Sequence, residues 1–222
     1  MSTGSITRTA GTAAASEERV VRYTFPERAA HWINGLAYTY CMLTGLALFT
    51  PFLYWIAAVL GGGPTIRFWH PWVGLVYLVA VFWMYSKWKA DMAPIPEDDK
   101  WNKNIKNYIQ NKDEGAPAQG RFNAGQKTFW KVMFWCTLVL LVTGIVMWFP
   151  EMMPRGLHWL LTVFVFVHSA TALVTIAAFI IHVYMSVWMT PGSMQAMIDG
   201  TVSGRWARAH HRLWYEKVTG RK

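Results

Sequence analysis

The fold is decided by residues 157–189, LHWLLTVFVFVHSATALVTIAAFIIHVYMSVWM, an apolar stretch without Asp, Glu, Lys or Arg. It is long enough to cross a bilayer core, because a spanning helix needs about 20 apolar residues. His168 and His182 lie fourteen residues apart in it. In a helix this separation is about 21 Å of rise, and it brings both rings to within about 40° of one face. Because a histidine inside a bilayer is costly and usually functional, the stretch predicts a membrane helix with two functional imidazoles at two depths.

Three further stretches have the same character, and together the four define the predicted fold. They cover residues 29–49, 68–88, 129–149 and 161–189, and none has a charged residue in its middle. Only 15% of the chain is charged and 54% is hydrophobic, whereas a soluble domain carries about a quarter charged residues. Much of the surface must therefore face lipid. The sequence predicts an all-α membrane protein, a four-transmembrane-helix bundle.

The distribution of Lys and Arg predicts the orientation of this bundle. Four basic residues precede the first span, nine lie from Lys87 to Lys131, and six follow Thr190, whereas the opposite side receives only Arg67 and Arg155. Short loops rich in Lys and Arg remain in the cytoplasm. Both termini are therefore predicted to be cytoplasmic.

The predicted spans divide the chain into three parts. Residues 1–20 are rich in Ser, Thr and Ala, contain no apolar signal-peptide core, and are predicted to be a disordered cytoplasmic segment. Residues 21–192 form the transmembrane domain. Residues 193–222 form a basic cytoplasmic helix or tail, in which His210 and His211 are expected to face solvent.

The loop between the second and third spans has a helical apolar pattern. Trp101, Ile105, Tyr108 and Ile109 share one helix face, which predicts an amphipathic helix on the membrane or against a partner. The alternative, here and in the C-terminal tail, is a solvated and partly helical surface.

A weak internal repeat relates the two halves of the chain. Thr44-Gly45 and Thr143-Gly144 are 99 residues apart, as are Arg22-Tyr23 and Arg121-Phe122, while His70 precedes His168 by 98 residues. The repeat predicts two helical hairpins related by an axis along the membrane normal, with His70 facing His168. Chance similarity between apolar helices is the alternative.

Four histidines form two pairs once depth is taken into account. With cytoplasmic termini, His31 and His182 lie near the inner surface, whereas His70 and His168 lie near the outer one. A lone buried histidine is most often a packing residue, but two depth-matched pairs favour two haems with two axial imidazoles each. Zinc would require a tetrahedral set with Cys or carboxylate ligands. A six-coordinate haem transfers electrons and has no open position for oxygen.

Five motifs resemble the gamma subunit, the membrane cytochrome b, of respiratory formate dehydrogenase. The similarity runs over residues 21–215 in the same order and spacing. The motifs are ERAAHW (27–32), HP (70–71), RFNAGQK (121–127), HVYM (182–185) and RWARAHH (205–211).

The resemblance implies a subunit of the bacterial inner membrane with four spans and two b haems, ligated as paired above. It implies that electrons leave formate in a molybdenum or tungsten catalytic (alpha) subunit and arrive through an iron–sulfur (beta) subunit. It also implies that a quinone, menaquinone or ubiquinone, is reduced near the inner haem with contacts from Asn123, Gly125 and Gln126. The expected surroundings are the lipid bilayer, quinone and these subunits, and no nucleic acid.

Some assignments stay open at this point. Without the resemblance, Asn123 to Gly125 would be an N-cap and first helical turn. Arg67 is a candidate partner for outer haem propionates, and Arg22 or Arg28 for inner ones. The alternative functions are the cytochrome b subunit of a nickel–iron hydrogenase or another molybdenum oxidoreductase, and a membrane anchor whose haems serve only folding.

Overall fold

The computed structural model describes residues 18–109 and 117–221, so most of the predicted N-terminal segment lies outside it. In chain order its elements are strand β1 (Arg19–Val21), helices α1 (Phe25–Phe49), α2 (Trp55–Val59), α3 (Gly63–Trp88), α4 (Pro96–Lys103), α5 (Ile105–Ile109), α6 (Ala124–Trp148), α7 (Trp159–Tyr184) and α8 (Ser193–Asp199), strand β2 (Thr201–Ser203), and helices α9 (Gly204–His210) and α10 (Arg212–Thr219). A π-helical turn, Met185–Met189, extends α7. The predicted all-α class is confirmed.

Local sequence signals mark the ends of α1 and α6. Glu27 Oε2 accepts from the Thr24 backbone N–H at 2.8 Å at the start of α1, and Asn123 and Gln126 form a reciprocal capping box at the start of α6. Such a box satisfies backbone N–H groups that have no partner within the helix. A proline lies two residues beyond the end of both α1 and α6, where it cannot continue the helix.

The long helices form two hairpins, as predicted. α1 packs mainly against α3, and α6 mainly against α7. Between the hairpins, the Tyr38 hydroxyl lies 3.1 Å from Thr175 Oγ1, and Thr137 Oγ1 lies 2.9 Å from the Tyr77 hydroxyl. Tyr38 precedes Thr137 by 99 residues and Tyr77 precedes Thr175 by 98. The two hydrogen bonds therefore follow the same offsets as the sequence repeat.

Three helical segments are long and apolar enough to cross a membrane: Gly63–Trp88, Ala124–Trp148 and Trp159–Met189. Trp159–Met189 contains a strongly apolar stretch of 18 residues, of which only 6% are buried within the protein. The exposed apolar side chains of this stretch require an apolar surrounding. α1 has a similar length but is less apolar, and it is not among these three segments. The three apolar segments make this a membrane protein.

One end of the bundle is closed by a folded unit, called here the end cap. It consists of residues 18–24, residues 89–109 and 117–123 of the connection between α3 and α6, and residues 190–221. β1 pairs antiparallel with β2, with Val20 opposite Val202. Trp88, at the end of α3, packs into a buried core with residues of the end cap, namely Tyr23, Met92, Phe122, Ala196, Val202, Ala207, Trp214 and Tyr215.

Two predictions about these segments are wrong. His211 was expected to face solvent, but it is only 2% exposed. The single amphipathic helix expected from Trp101 to Ile109 is broken at Asn104 into α4 and α5. Trp101 is buried and lies against the first turn of α6. Helical periodicity finds the apolar faces of these short helices, but it does not say which surface of the chain covers them.

Candidate metal centres

The four histidines lie in two pairs. The rings of His31 in α1 and His182 in α7 have their centres 6.2 Å apart, near the end cap. The rings of His70 in α3 and His168 in α7 have their centres 6.4 Å apart, toward the opposite end of the bundle. These are the inner pair and the outer pair predicted from depth.

The spacing within each pair suits two imidazoles on one metal ion. With a metal–nitrogen bond of about 2.0 Å and a ring centre about 1.1 Å beyond the bonded nitrogen, two opposed rings have centres about 6.2 Å apart. The planes within the pairs are inclined by 52° and 61°, so the rings do not stack on each other. Haem iron takes axial imidazoles in this way, and both pairs therefore fit a haem.

Each outer histidine is held by a threonine of the neighbouring helix. Thr44 Oγ1 lies 2.7 Å from His70 Nδ1, and Thr143 Oγ1 lies 2.8 Å from His168 Nδ1. Both threonines belong to the sequence repeat, and both are buried. The repeat therefore supplies each outer ring with the same polar partner.

These hydrogen bonds determine which ring nitrogen is available. Each threonine hydroxyl donates its proton to the backbone carbonyl four residues earlier, at 2.8 Å for Thr44 and 2.7 Å for Thr143. The hydroxyl oxygen must then accept a hydrogen bond from Nδ1–H of His70 or His168. A histidine protonated at Nδ1 presents an unprotonated Nε2, which is the form that binds a metal.

The glycine after each threonine lies beside the same ring. A Cβ added to Gly45 would lie 3.5 Å from His70 Cε1, and one added to Gly144 would lie 3.4 Å from His168 Cε1. At these distances an added methyl group would be in ordinary van der Waals contact with the imidazole. The Thr-Gly pair combines a partner for Nδ1 with space for the ring.

The inner pair is positioned mainly by aromatic packing. The ring of His182 stacks on Phe129, with centres 4.4 Å apart and planes inclined by 7°, and His31 meets the edge of Trp32. Among the described residues, buried Nδ1 of His31 has no hydrogen-bond partner, and neither does buried Nδ2 of Asn34 one turn later.

The residues predicted to contact quinone begin α6, within two turns of Phe129. Asn123 Oδ1 accepts from the Gln126 backbone N–H at 2.9 Å, and Gln126 Oε1 accepts from the Asn123 N–H at 3.0 Å. The N-cap interpretation is confirmed, and only the amide nitrogens of these side chains are left to donate to a ligand. A Cβ on Gly125 would lie 2.8 Å from Trp101 Cη2, so the space beside Gly125 is occupied by an indole ring of the same chain.

The three arginines predicted near propionates have different surroundings. Arg67 is exposed in the first turns of α3, and partly buried Arg28 donates to a backbone carbonyl of α8. Arg22 is buried in the end cap, where Nη2 lies 2.9 Å from His211 Nε2. Burial lowers the pKa of Arg22. Among the described residues, buried Nη1 of Arg22 and buried Nε of Arg28 have no hydrogen-bond partner, so all three arginines stay candidates.

The polar network of the end cap was missed by sequence reasoning. Arg22 Nη2 donates to the Arg121 carbonyl at 2.9 Å, and Arg121 Nη2 donates to the Arg22 carbonyl at 2.7 Å. Arg121 also forms ion pairs with Glu27 and Asp91. Burial alone would raise the pKa of Glu27, but the Thr24 N–H and the charge of Arg121 lower it below its ordinary value. The sequence repeat is the signal that could have indicated this network, because it places Arg22 and Arg121 at equivalent positions.

A helical membrane bundle in which paired histidines are spaced for axial ligation of iron defines a membrane cytochrome b. The chain belongs to the prokaryotic cytochrome b561 family, whose model matches residues 22–200.

Its similarity to formate dehydrogenase cytochrome subunits is equally extensive. It is 33% identical over 200 residues to the cytochrome b556(Fdn) subunit of nitrate-inducible formate dehydrogenase from Escherichia coli K12, covering 90% of this chain and 91% of that protein. It is 32% identical over 202 residues to the E. coli K12 cytochrome b556(fdo) subunit, covering 90% and 94%. With the Haemophilus influenzae cytochrome b556 subunit the identity is 28% over 208 residues, covering 91% and 84%. The resemblance predicted from the motifs is confirmed.

Proposed function

We propose that the chain is the membrane cytochrome b subunit of a formate dehydrogenase complex, with one b haem at each histidine pair and a quinone as electron acceptor. The spacing of the two pairs, 6.2 and 6.4 Å between ring centres, carries the proposal. The relatives described above are cytochrome subunits of formate dehydrogenases, which suggests formate as the electron source of the complex.

The proposal includes α1 as a fourth span, for a topological reason. β1 immediately precedes α1, and β2 follows α8, yet the two strands are hydrogen-bonded to each other. Three crossings would place them on opposite sides of the membrane. An even number of crossings is required, and α1 is the only other helix of sufficient length among the described residues. The basic residues around β1 and β2 favour the cytoplasm for this side.

The chain's own residues would hold two iron centres at fixed levels. When bound, haem b supplies a one-electron Fe(III)/Fe(II) couple. His70 and His168 would provide both axial ligands at the outer level, and His31 and His182 would provide them at the inner level. α7 contributes one ligand to each level, His168 and His182. This single helix would therefore hold the two levels about 21 Å apart along its axis.

The partners follow from the proposed direction of electron flow. Electrons from formate would leave the molybdenum or tungsten catalytic (alpha) subunit, pass through the iron–sulfur (beta) subunit and enter at the outer pair. Near the inner pair, the amide nitrogens of Asn123 and Gln126 would donate hydrogen bonds to a quinone oxygen. Two electrons and two protons convert the quinone to quinol, and with the end cap in the cytoplasm these protons come from the cytoplasmic side.

Replacement of an inner ligand tests this function in the complete complex. His182→Ala should reduce the b-haem content from two to one per chain and abolish formate oxidation by quinone, while formate oxidation by an artificial dye continues. The control His158→Ala changes an exposed histidine outside both pairs and should preserve both activities.

Three results would overturn the proposal. They are a wild-type content of one haem per chain, undiminished quinone reduction in His182→Ala, and haems in the purified complex that hydrogen reduces but formate does not.

A further inference from the structure

The two histidine pairs differ in what lies behind the rings. Both outer rings are hydrogen-bonded through Nδ1 to a buried threonine hydroxyl, at 2.7 Å from Thr44 and 2.8 Å from Thr143. His31 of the inner pair has no partner for its buried Nδ1 within residues 18–109 and 117–221. We infer that Thr44 and Thr143 lower the reduction potential of the outer haem below that of the inner haem. The inference rests on the proposed two-haem function.

The physical cause is the donor strength of the imidazole. When Nδ1–H donates a hydrogen bond, electron density moves toward Nε2 and the ring becomes a more basic metal ligand. A more basic axial ligand stabilises Fe(III) more than Fe(II), which lowers the reduction potential. Hydrogen bonding behind the axial ligand is one of the means by which a protein tunes a haem.

The threonines are well placed for a strong effect. Each hydroxyl also donates to a helix carbonyl, Thr44 to Tyr40 at 2.8 Å and Thr143 to Val139 at 2.7 Å. Two hydrogen bonds in series polarise each other in a low-dielectric surrounding. Because the sequence repeat provides one such chain for His70 and one for His168, both axial ligands of the same iron are affected.

The difference between the two pairs would give electron transfer through the protein a preferred direction. With haem bound at both pairs, transfer of an electron from the outer pair to the inner pair would run from the lower to the higher potential and would be downhill. Thr44 and Thr143 are therefore positioning residues that act through His70 and His168, and they favour flow toward the end cap, where the quinone site is proposed.

Redox potentiometry of the purified complex, monitored by the visible absorbance of the b haems, tests this inference. In Thr44→Val and Thr143→Val, which remove the hydroxyl at similar volume, the midpoint potential of one haem should rise while the other stays unchanged. We expect about a tenfold change in the oxidised-to-reduced ratio at fixed potential in the double variant, or about 59 mV for a one-electron couple.

Two controls distinguish an effect of the threonine hydroxyls on the midpoint potential from an effect of lost packing. Thr44→Ser and Thr143→Ser keep the hydroxyl and should keep the wild-type potentials. Thr137→Val removes a buried hydroxyl of α6 that bonds Tyr77 and neither outer histidine, and should leave both midpoints unchanged.

Single-haem variants assign the potentials and cover the case in which the valine variants lose haem. The haem that remains in His182→Ala must be the lower-potential one, and the haem that remains in His70→Ala must be the higher-potential one. The reverse order overturns the inference, and so does a pair of unchanged midpoints in a double valine variant that keeps two haems. A wild-type complex with one haem would instead overturn the proposed function itself.

Discussion

At the scale of single residues, the end cap depends on a buried histidine that stays neutral. His211 Nδ1 lies 2.8 Å from the Gly120 carbonyl, and His211 Nε2 lies 2.9 Å from Arg22 Nη2. A guanidinium group only donates hydrogen bonds, so Nε2 accepts and Nδ1 carries the proton. Burial, followed by the charge of Arg22, holds the pKa of His211 well below its ordinary value.

This arrangement predicts a loss of stability in mild acid. An unfolded histidine has a pKa of about 6.5, so below that pH the unfolded chain binds a proton at His211 that the folded chain does not. The free energy of unfolding should therefore fall as the pH decreases from 7 to 5. Thermal unfolding of the detergent-purified protein, followed by tryptophan fluorescence, measures it.

A glutamine variant isolates the contribution of this ring. His211→Gln should be less stable than wild type at pH 7 and should show a smaller decrease toward pH 5. His210→Gln, at the neighbouring and less buried position, should keep the wild-type dependence. Equal pH dependence in wild type and His211→Gln would contradict the assignment.

At the scale of elements, the packing of α4 on α6 decides how the end cap meets the bundle. Lys127 Nζ lies 2.8 Å from Asp98 Oδ2 in a buried ion pair, and the same carboxylate oxygen accepts from the Ile95 N–H at 2.9 Å at the start of α4. Next to this pair, the indole of Trp101 lies over Gly125. The sequence motif that contains Gly125 therefore joins two helices, besides its proposed role at quinone.

Gly125→Ala should weaken this contact. The added methyl group would lie 2.8 Å from Trp101 Cη2, and overpacking of this kind costs about 1–3 kcal/mol, more than alanine gains over glycine in a helix. Denaturant unfolding should show the loss, while Gly156→Ala, where nothing lies within 4 Å of the added atom, should stay within about 0.5 kcal/mol of wild type.

A double-mutant cycle identifies the cause of that loss. If the methyl group collides with the indole, Gly125→Ala combined with Trp101→Phe should lose less stability than the two single variants together. Strict additivity would show that the loss arises elsewhere.

At the scale of the whole molecule, the pairing of β1 with β2 and the number of crossings depend on each other. Three segments are apolar enough to span a membrane, and the proposed topology adds α1 as a fourth span so that the paired strands lie on one side. α1 carries His31, so its insertion also determines whether the inner pair lies at membrane depth.

Cysteine labelling in whole cells tests this topology. In a background without Cys41 and Cys136, single cysteines at the exposed positions Phe52 and Met152 should react with a membrane-impermeant maleimide. Cysteines at Val21 and Lys217, both exposed on the end cap, should react only after the cells are permeabilised. Labelling of Val21 and Phe52 from the same side would show that α1 does not cross.

Much of the candidate site could be predicted from the sequence, and the missing parts share one cause. The pairing of the four histidines followed from helical rise and loop charge, both of which are local properties. The repeat placed Thr44 and Thr143 at equivalent positions, but it did not show that their hydroxyls meet His70 and His168. Those contacts join different helices, and sequence periodicity describes only one helix at a time.

The sequence by itself determined a helical membrane protein with imidazoles at two levels. Long apolar runs can satisfy their backbone in lipid only as helices, and helical rise converts sequence position into depth. Only the tertiary structure decided that His211 is buried, that Trp101 covers Gly125, and that Arg22 and Arg121 each donate a hydrogen bond to the other's backbone carbonyl. Each of these outcomes depends on segments far apart in the chain meeting at the end of the bundle, where neither lipid nor helical periodicity dictates which surfaces come together.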